Sequence, residues 1–282
     1  MKMKRSEKLG MFTGLVVGVL LLLISVFMIF QTTCKVWGAE KPANATQQGI
    51  DVSSHQGKID WEQVKNSALA DYAIIRCGYG VNQTDKDDKY WDYNSSECER
   101  LGIPYGTYLY SGADTTAKAK SEAEHVVRLL QGKNLTYPIY YDMEADMLNQ
   151  LSSTQIGNIA KTFLNTMESY GYKNVAVYSN KYLFETKLTA SVFSDYPKWI
   201  AQHSNKCTYQ GSYHMWQYST QGVIPGISEK VDLNYKIGNW TYAGYSSAKK
   251  TVVVKPKATT IKSLRKSGKK AVKITYKKEI GR

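Results

Sequence analysis

No H-E-x-x-H or related metal-ligand spacing, no Gly-rich phosphate loop and no G-x-S-x-G elbow occurs in this sequence. Zincin-type hydrolysis, nucleotide binding through a P-loop and serine-type hydrolysis therefore lack their usual machinery. Cysteine is scarce, with Cys34, Cys77, Cys98 and Cys207 the only four in 282 residues. Cys34 lies in an N-terminal apolar segment, which leaves an odd number without close ligand spacing, so no structural zinc is expected. Cys77 and Cys98 could pair, but two buried free thiols is the simpler reading. His55, His125, His203 and His214 are scattered, and no metal or cofactor is expected.

Basic charge is missing from the middle of the chain. The net charge of +13 divides into +4 for residues 1–39 and +12 for 249–282, and residues 40–248 carry −3. A nucleic-acid groove needs basic residues on the folded domain itself, so no nucleic-acid partner is expected. The basic end suits an anionic cell wall or membrane surface instead.

What is present begins with an export pattern. Lys2, Lys4, Arg5 and Lys8 precede a charge-free apolar run over 11–30. Residues 1–39 read as a signal peptide or an uncleaved membrane anchor, which places the rest outside the cell or on its surface. Residues 40–48 read as a polar linker.

Between 49 and 242, short apolar strands alternate with helices. Strands are expected at 50–53, 72–77, 104–110, 137–144, 174–179, 198–202, 214–218 and 230–234, mostly without in–out alternation, as strands buried on both faces should be. A helix over 153–170 has an apolar stripe of Ile156, Ile159, Ala160, Phe163, Leu164 and Met167, with a Ser152/Gln155 capping box. A second is expected at 116–130, and shorter ones at 61–69, 90–101 and 181–188. The helical pattern stops after Ile200. The expected architecture is an α/β, TIM-like barrel of eight strands whose last helices are missing. The tail, 243–282, reads as strands at 251–254 and 271–276, either a truncated fibronectin type III-like module or a basic extension. A monomer is expected.

A barrel of this kind keeps its chemistry at the C-terminal strand ends. Read in order, these ends supply Asp51, Arg76, Tyr108, Tyr110, Asp142, Glu144, Tyr178, Gln202, Trp216, Gln217 and Asp232. Carboxylates that act on a bond, with aromatics that hold sugar faces, point to a carbohydrate-cleaving site. Asp142 and Glu144 stand two residues apart, so on a strand they share a face with α-carbons about 6.6 Å apart. Mutual repulsion raises the pKa of one of them, and a protonated carboxyl is what protonation of a glycosidic oxygen requires. That spacing lies between the retaining and inverting arrangements and leaves the stereochemistry open. Asp51 could instead cap a turn and Asp232 could pair with Arg76. Asp85, Asp87, Asp88 and Asp146 read as solvated loop acids.

The stretches Gly49-Ile50-Asp51-Val52-Ser53, Ile59-Asp60-Trp61 and Ile74-Ile75-Arg76-Cys77-Gly78-Tyr79-Gly80 resemble glycoside hydrolase family 25, the Chalaropsis-type lysozymes or N-acetylmuramidases. Gly102-Ile103-Pro104-Tyr105-Gly106, Asp142-Met143-Glu144, Trp199-Ile200-Ala201-Gln202, Trp216-Gln217-Tyr218 and Val231-Asp232-Leu233-Asn234 extend the resemblance across 49–240. It implies a (β/α)5β3 barrel and cleavage of β-1,4 bonds between N-acetylmuramic acid and N-acetylglucosamine in the glycan strands of peptidoglycan. It also implies Glu144 as general acid, Asp142 as its partner, and Asp51 and Asp232 as two further active-site acids. Arg76, Tyr108, Tyr178, Gln202, Trp216 and Gln217 are the expected substrate-binding residues. A barrel that binds peptidoglycan without catalysis is the alternative.

Overall fold

The computed structural model describes residues 39–240, together with the backbone of two strands at 261–266 and 272–276. Eight strands close into a barrel in chain order: β1 (Ala45–Val52), β2 (Tyr72–Tyr79), β3 (Tyr105–Tyr110), β4 (Ile139–Asp142), β5 (Val175–Asn180), β6 (Lys198–Ala201), β7 (Met215–Gly222) and β8 (Val231–Ile237). Neighbours from β1 to β7 pair in parallel. β8 runs antiparallel to both β7 and β1 and closes the ring.

Helices fill the first five crossovers: α1 (Trp61–Ser67), α2 (Trp91–Leu101), α3 (Thr116–Leu129), α4 (Ser153–Ser169), and then the short α5 (Lys181–Thr186) and α6 (Val192–Asp195) together. None lies between β6 and β8, so the expected loss of helices after Ile200 is observed. A parallel connection needs a long crossover, whereas the β7–β8 reversal needs only a turn.

Local chemistry sets the helix ends. Asp60, Thr115 and Ser152 cap α1, α3 and α4 through their side chains, and Gln155 completes a capping box on α4. The buried stripe of α4 includes Ile156, Ile159, Phe163 and Met167. Phe163 stacks on Tyr141 of β4 with ring centroids 3.8 Å apart. Inside the barrel, Tyr72, Ile74, Tyr140, Trp199 and Met215 share one apolar cluster. That plug forms the dry floor beneath the strand ends.

Two sequence expectations shift, and a third, on the cysteines, holds. Residues 45–48, read as linker, belong to β1 and pair with β8, as in Gln48 with Tyr235. Their polar sequence hid them, because this end of β1 is only partly buried. β4 stops at Asp142, so Met143 and Glu144 lie past the strand end. Cys77 and Cys98 are buried free thiols, and Cys207 is free as well.

In the tail, Ile261–Lys266 and Val272–Tyr276 form a two-stranded antiparallel sheet. The strand expected at 251–254 and the export segment 1–38 with Cys34 lie outside the described residues.

Gly106, near the start of β3, marks a close backbone approach between β3 and the segment entering β4. A Cβ there would meet the Pro138 carbonyl oxygen at 2.5 Å and Tyr137 Cβ at 2.7 Å. Backbone cannot rotate away as a side chain can. Gly106→Ala is expected to lower the thermal unfolding midpoint by several degrees, equivalent to about 1–3 kcal/mol of overpacking; an unchanged midpoint in scanning calorimetry would contradict the packing described.

Candidate active site

The C-terminal end of β1 carries Asp51, and its antiparallel register with β8 sets Asp232 opposite it. Cross-strand partners project from one face of a sheet, so the two carboxyls meet. Asn234 follows Asp232 by two residues and shares that face, and β7 sets Gln217 opposite Asn234. Gln217 Nε2 donates to Asp51 Oδ2 at 3.0 Å and to Asp232 Oδ2 at 3.2 Å. Asn234 Nδ2 donates to the same Asp51 oxygen at 2.7 Å. Trp199 Nε1 donates to Asn234 Oδ1 at 2.8 Å. The Tyr178 hydroxyl donates to Gln217 Oε1 at 3.0 Å. His203 Nε2 lies 3.0 Å from that oxygen, which accepts only, so the proton there sits on His203 Nε2.

Asp142 ends β4, in register with Tyr110 of β3 and Tyr178 of β5. The backbone around it is held from both sides. Ser111 N donates to Asp142 O and Met143 N to Tyr178 O, each at 2.9 Å. Ser179 Oγ donates to Met143 O at 2.5 Å. Asp142 is 3 % exposed, and its Oδ1 has no hydrogen-bond partner among the described residues. Glu144 is only partly buried.

Burial dominates the electrostatics. It holds Asp142 well above the carboxylate range, with the charges of Glu144 and Asp51 adding and Arg76 opposing. Burial and then Asp51 raise Glu144, while the neighbouring Tyr178 hydroxyl and the charge of His203 pull it back. Burial and then Asp232 lift Asp51 well above its usual value, against the donors Asn234 and Gln217. Asp232 is pushed up to about 6, mainly by burial. Four acids gathered on an apolar floor resist ionising together, and they titrate as a set. Such a cluster can hold a proton for transfer and stabilise positive charge that develops nearby.

The structure thus brings Asp51, Asp142, Glu144, Asp232, Tyr178 and Gln217 together. Arg76 and Tyr108 are close enough to feel or shift the acids. The Arg76 side chain is engaged elsewhere, with Nε 2.8 Å from Asp88 Oδ2 and a second nitrogen donating to Ser54 Oγ at 2.9 Å. Asp88 is buried and also accepts from the backbone of Ser54 and Tyr90. It, not Asp232, is the partner of Arg76. Asp87 likewise joins His125 and Arg128, so neither acid is the solvated loop residue expected. Trp216 is 0 % exposed. Its Nε1 donates to Gln202 O at 2.8 Å and its ring packs near Tyr218 and Tyr235, so it offers no open face. The Gln202 side chain ties down Thr208 in the β6–β7 loop. Gln217 is buried with both amide atoms occupied by protein groups, so it orders the acids.

Asn234, Trp199 and His203 were missed as site residues. The two-residue period that pairs Asp142 with Glu144 also pairs Asp232 with Asn234 and was available for the latter. Trp199 lay in a recognised motif but reads as core. Nothing local marks His203.

Residues 50–227 match the family described as glycosyl hydrolases family 25. The chain belongs to that family. It is 30 % identical over 188 residues to the autolytic lysozyme of Clostridium acetobutylicum, covering 66 % of this chain and 55 % of that one. It is 28 % identical over 201 residues to lysozyme M1 of Streptomyces globisporus, covering 66 % of each. Among solved structures it is similar to the modular autolysin LytC of Streptococcus pneumoniae, at 33 % identity and a TM-score of 0.62, covering 67 % of this chain and 46 % of LytC. LytC is also known in complex with a synthetic peptidoglycan ligand. The chain therefore spans less than two thirds of the autolytic lysozyme and of LytC.

Raised carboxyl pKa values make this family 25 barrel favour acid. The folded protein binds the Asp232 proton more tightly than the unfolded chain does. That contribution is complete below about pH 4, the value of a free carboxyl, and is lost as pH rises through about 6. Asp232→Asn, which keeps an acceptor for Gln217, is expected to raise the unfolding midpoint by a few degrees at pH 7 and to leave it unchanged at pH 4. Equal shifts at both pH values, read by circular dichroism melts, would contradict a raised Asp232.

Proposed function

We propose that this chain is a peptidoglycan hydrolase, a lysozyme that cleaves the β-1,4 bond between N-acetylmuramic acid and N-acetylglucosamine. The observation that carries the reading is the set of four carboxyls on one apolar floor, within a barrel of glycosyl hydrolases family 25.

Accessibility divides the roles. Glu144 is the less enclosed of the β4 pair, so it reaches the glycosidic oxygen and protonates it as the bond breaks. Its raised pKa lets it keep that proton to higher pH than an exposed carboxyl would. Asp142 sits deeper, with an unpartnered buried oxygen. An amide N–H from the substrate's 2-acetamido group would hydrogen-bond that oxygen and so favour the ionised form of Asp142, whose charge then steadies an oxocarbenium-like centre. Asp51 and Asp232, ordered by Gln217 and Asn234, shape the floor of the subsite. Tyr108 and Tyr178 line it, and Arg76 moderates its negative potential. The N-terminal pattern of basic residues and an apolar run supports action outside the cell. The basic tail supports contact with anionic wall polymers.

The test is digestion of purified peptidoglycan by the full chain, beside Glu144→Gln, with the muropeptides separated and their reducing ends identified. New reducing-end N-acetylmuramic acid is expected, with kcat at least 10³-fold lower in the variant, the order of loss for a group that acts on the reacting bond. Reducing-end N-acetylglucosamine would overturn the bond assignment. Wall binding without product would favour a barrel that binds but does not cut.

A further inference from the structure

Outside the acid cluster, α3 carries a fully buried carboxylate that the proposed reaction does not use. Glu122 is 0 % exposed and faces the outer side of β4. Its Oε2 accepts from the Tyr141 hydroxyl at 2.6 Å and from Ser111 Oγ at 2.9 Å. Its Oε1 accepts from Gly112 N at 2.7 Å. Ser111 Oγ also lies 2.8 Å from the Tyr141 hydroxyl and accepts from Ala113 N at 3.2 Å. One carboxylate thus gathers the loop after β3 and a strand residue of β4.

Both ends of this network touch the proposed catalytic segment. Tyr141 is the residue immediately before Asp142, and its ring is fixed from the far side by Phe163. The backbone N–H of Ser111 donates to the Asp142 carbonyl at 2.9 Å. Ser179 and Tyr178 clamp Met143 from the β5 side. The β3 side of the same segment has the Ser111 backbone, and Glu122 holds Ser111 in place.

A buried carboxylate is costly to keep without donors, and burial does raise the Glu122 pKa while Tyr141, Gly112 and Ser111 lower it. An apolar side chain would fill this helix position at less cost, as Ala119, Ala123 and Val126 do on the same face. Such polar networks specify one geometry where apolar packing tolerates several. Displacements of about 1 Å at reacting groups carry large losses in rate.

We propose that Glu122 is a positioning residue for the reaction, setting through Tyr141 and Ser111 where Asp142 and Glu144 stand. The proposal rests on the hydrolase reading above. Its test compares wild type, Glu122→Leu, Glu122→Gln and Tyr141→Phe on solubilised peptidoglycan, with kcat, KM and the pH profile of kcat normalised to folded protein. Gln can accept from Gly112 N while its amide donates to the two hydroxyl oxygens, so Glu122→Gln is expected within about threefold of wild type. Glu122→Leu cannot, and kcat is expected to fall at least tenfold with KM within twofold and the pH profile displaced. Tyr141→Phe keeps the ring, removes one donor, and carries the test by itself if the Leu variant does not fold. A several-fold loss in kcat with a displaced profile is expected for it. Folded Leu and Phe variants with wild-type kcat and an unmoved profile would overturn the proposal, since a purely structural role changes only the folded fraction. A wild-type protein that releases no product would overturn the hydrolase reading itself, and any role for Glu122 in that reaction with it.

Discussion

The antiparallel register between β1 and β8 is the constraint on which the rest of the site depends. Seven parallel strands would leave Asp51 beside an open edge. Closing the barrel with a reversed strand puts Asp232 across from Asp51 and Asn234 within reach of it. Two carboxyls so placed repel each other, and the protein answers with donors. Gln217 spans both acids, Asn234 supports the more deeply buried one, and Trp199 and Tyr178 fix those two amides. The amides cannot be exchanged for apolar groups without leaving buried charge unpartnered.

The second half of the site is built on different terms. β4 ends at Asp142, and the residues beyond it depend on neighbours for their position. Ser111 holds one side, Tyr178 and Ser179 the other, and the Tyr141 ring packs outward on α4. The interior cluster of Tyr72, Tyr140, Trp199 and Met215 keeps water from the acids from below. Low polarity beneath and charge crowding above push in the same direction, so all four carboxyls hold protons more tightly than exposed ones do.

Much of this was legible in the sequence because the signals are local and periodic. The stripe of α4, its capping box and the apolar strand cores follow the 3.6- and two-residue repeats that packing imposes. The acids stood out because strand ends are few and their chemistry is distinctive. What stayed hidden depends on contacts between distant segments. Asp88 looks like part of an acidic loop until the fold brings Arg76 and Ser54 to it. Trp216 has the composition of a sugar platform, but the aromatic packing with Tyr218 and Tyr235 buries it. Residues 45–48 are too polar to announce a strand, and only β8 makes them one. Glu122 sits among the apolar positions of an amphipathic helix, where sequence alone gives no reason for a charge.

The central claim is that the folded barrel holds its four acids above their ordinary range. The most direct measurement is an NMR titration of the free protein with 13C-labelled Asp and Glu carboxyls, assigned by the single amide variants. The account predicts that Asp51, Asp142, Glu144 and Asp232 titrate later than exposed carboxyls, with interdependent curves and Asp232 near pH 6. Four independent curves with midpoints at or below about 4.3, the ordinary range for Asp and Glu, would contradict it.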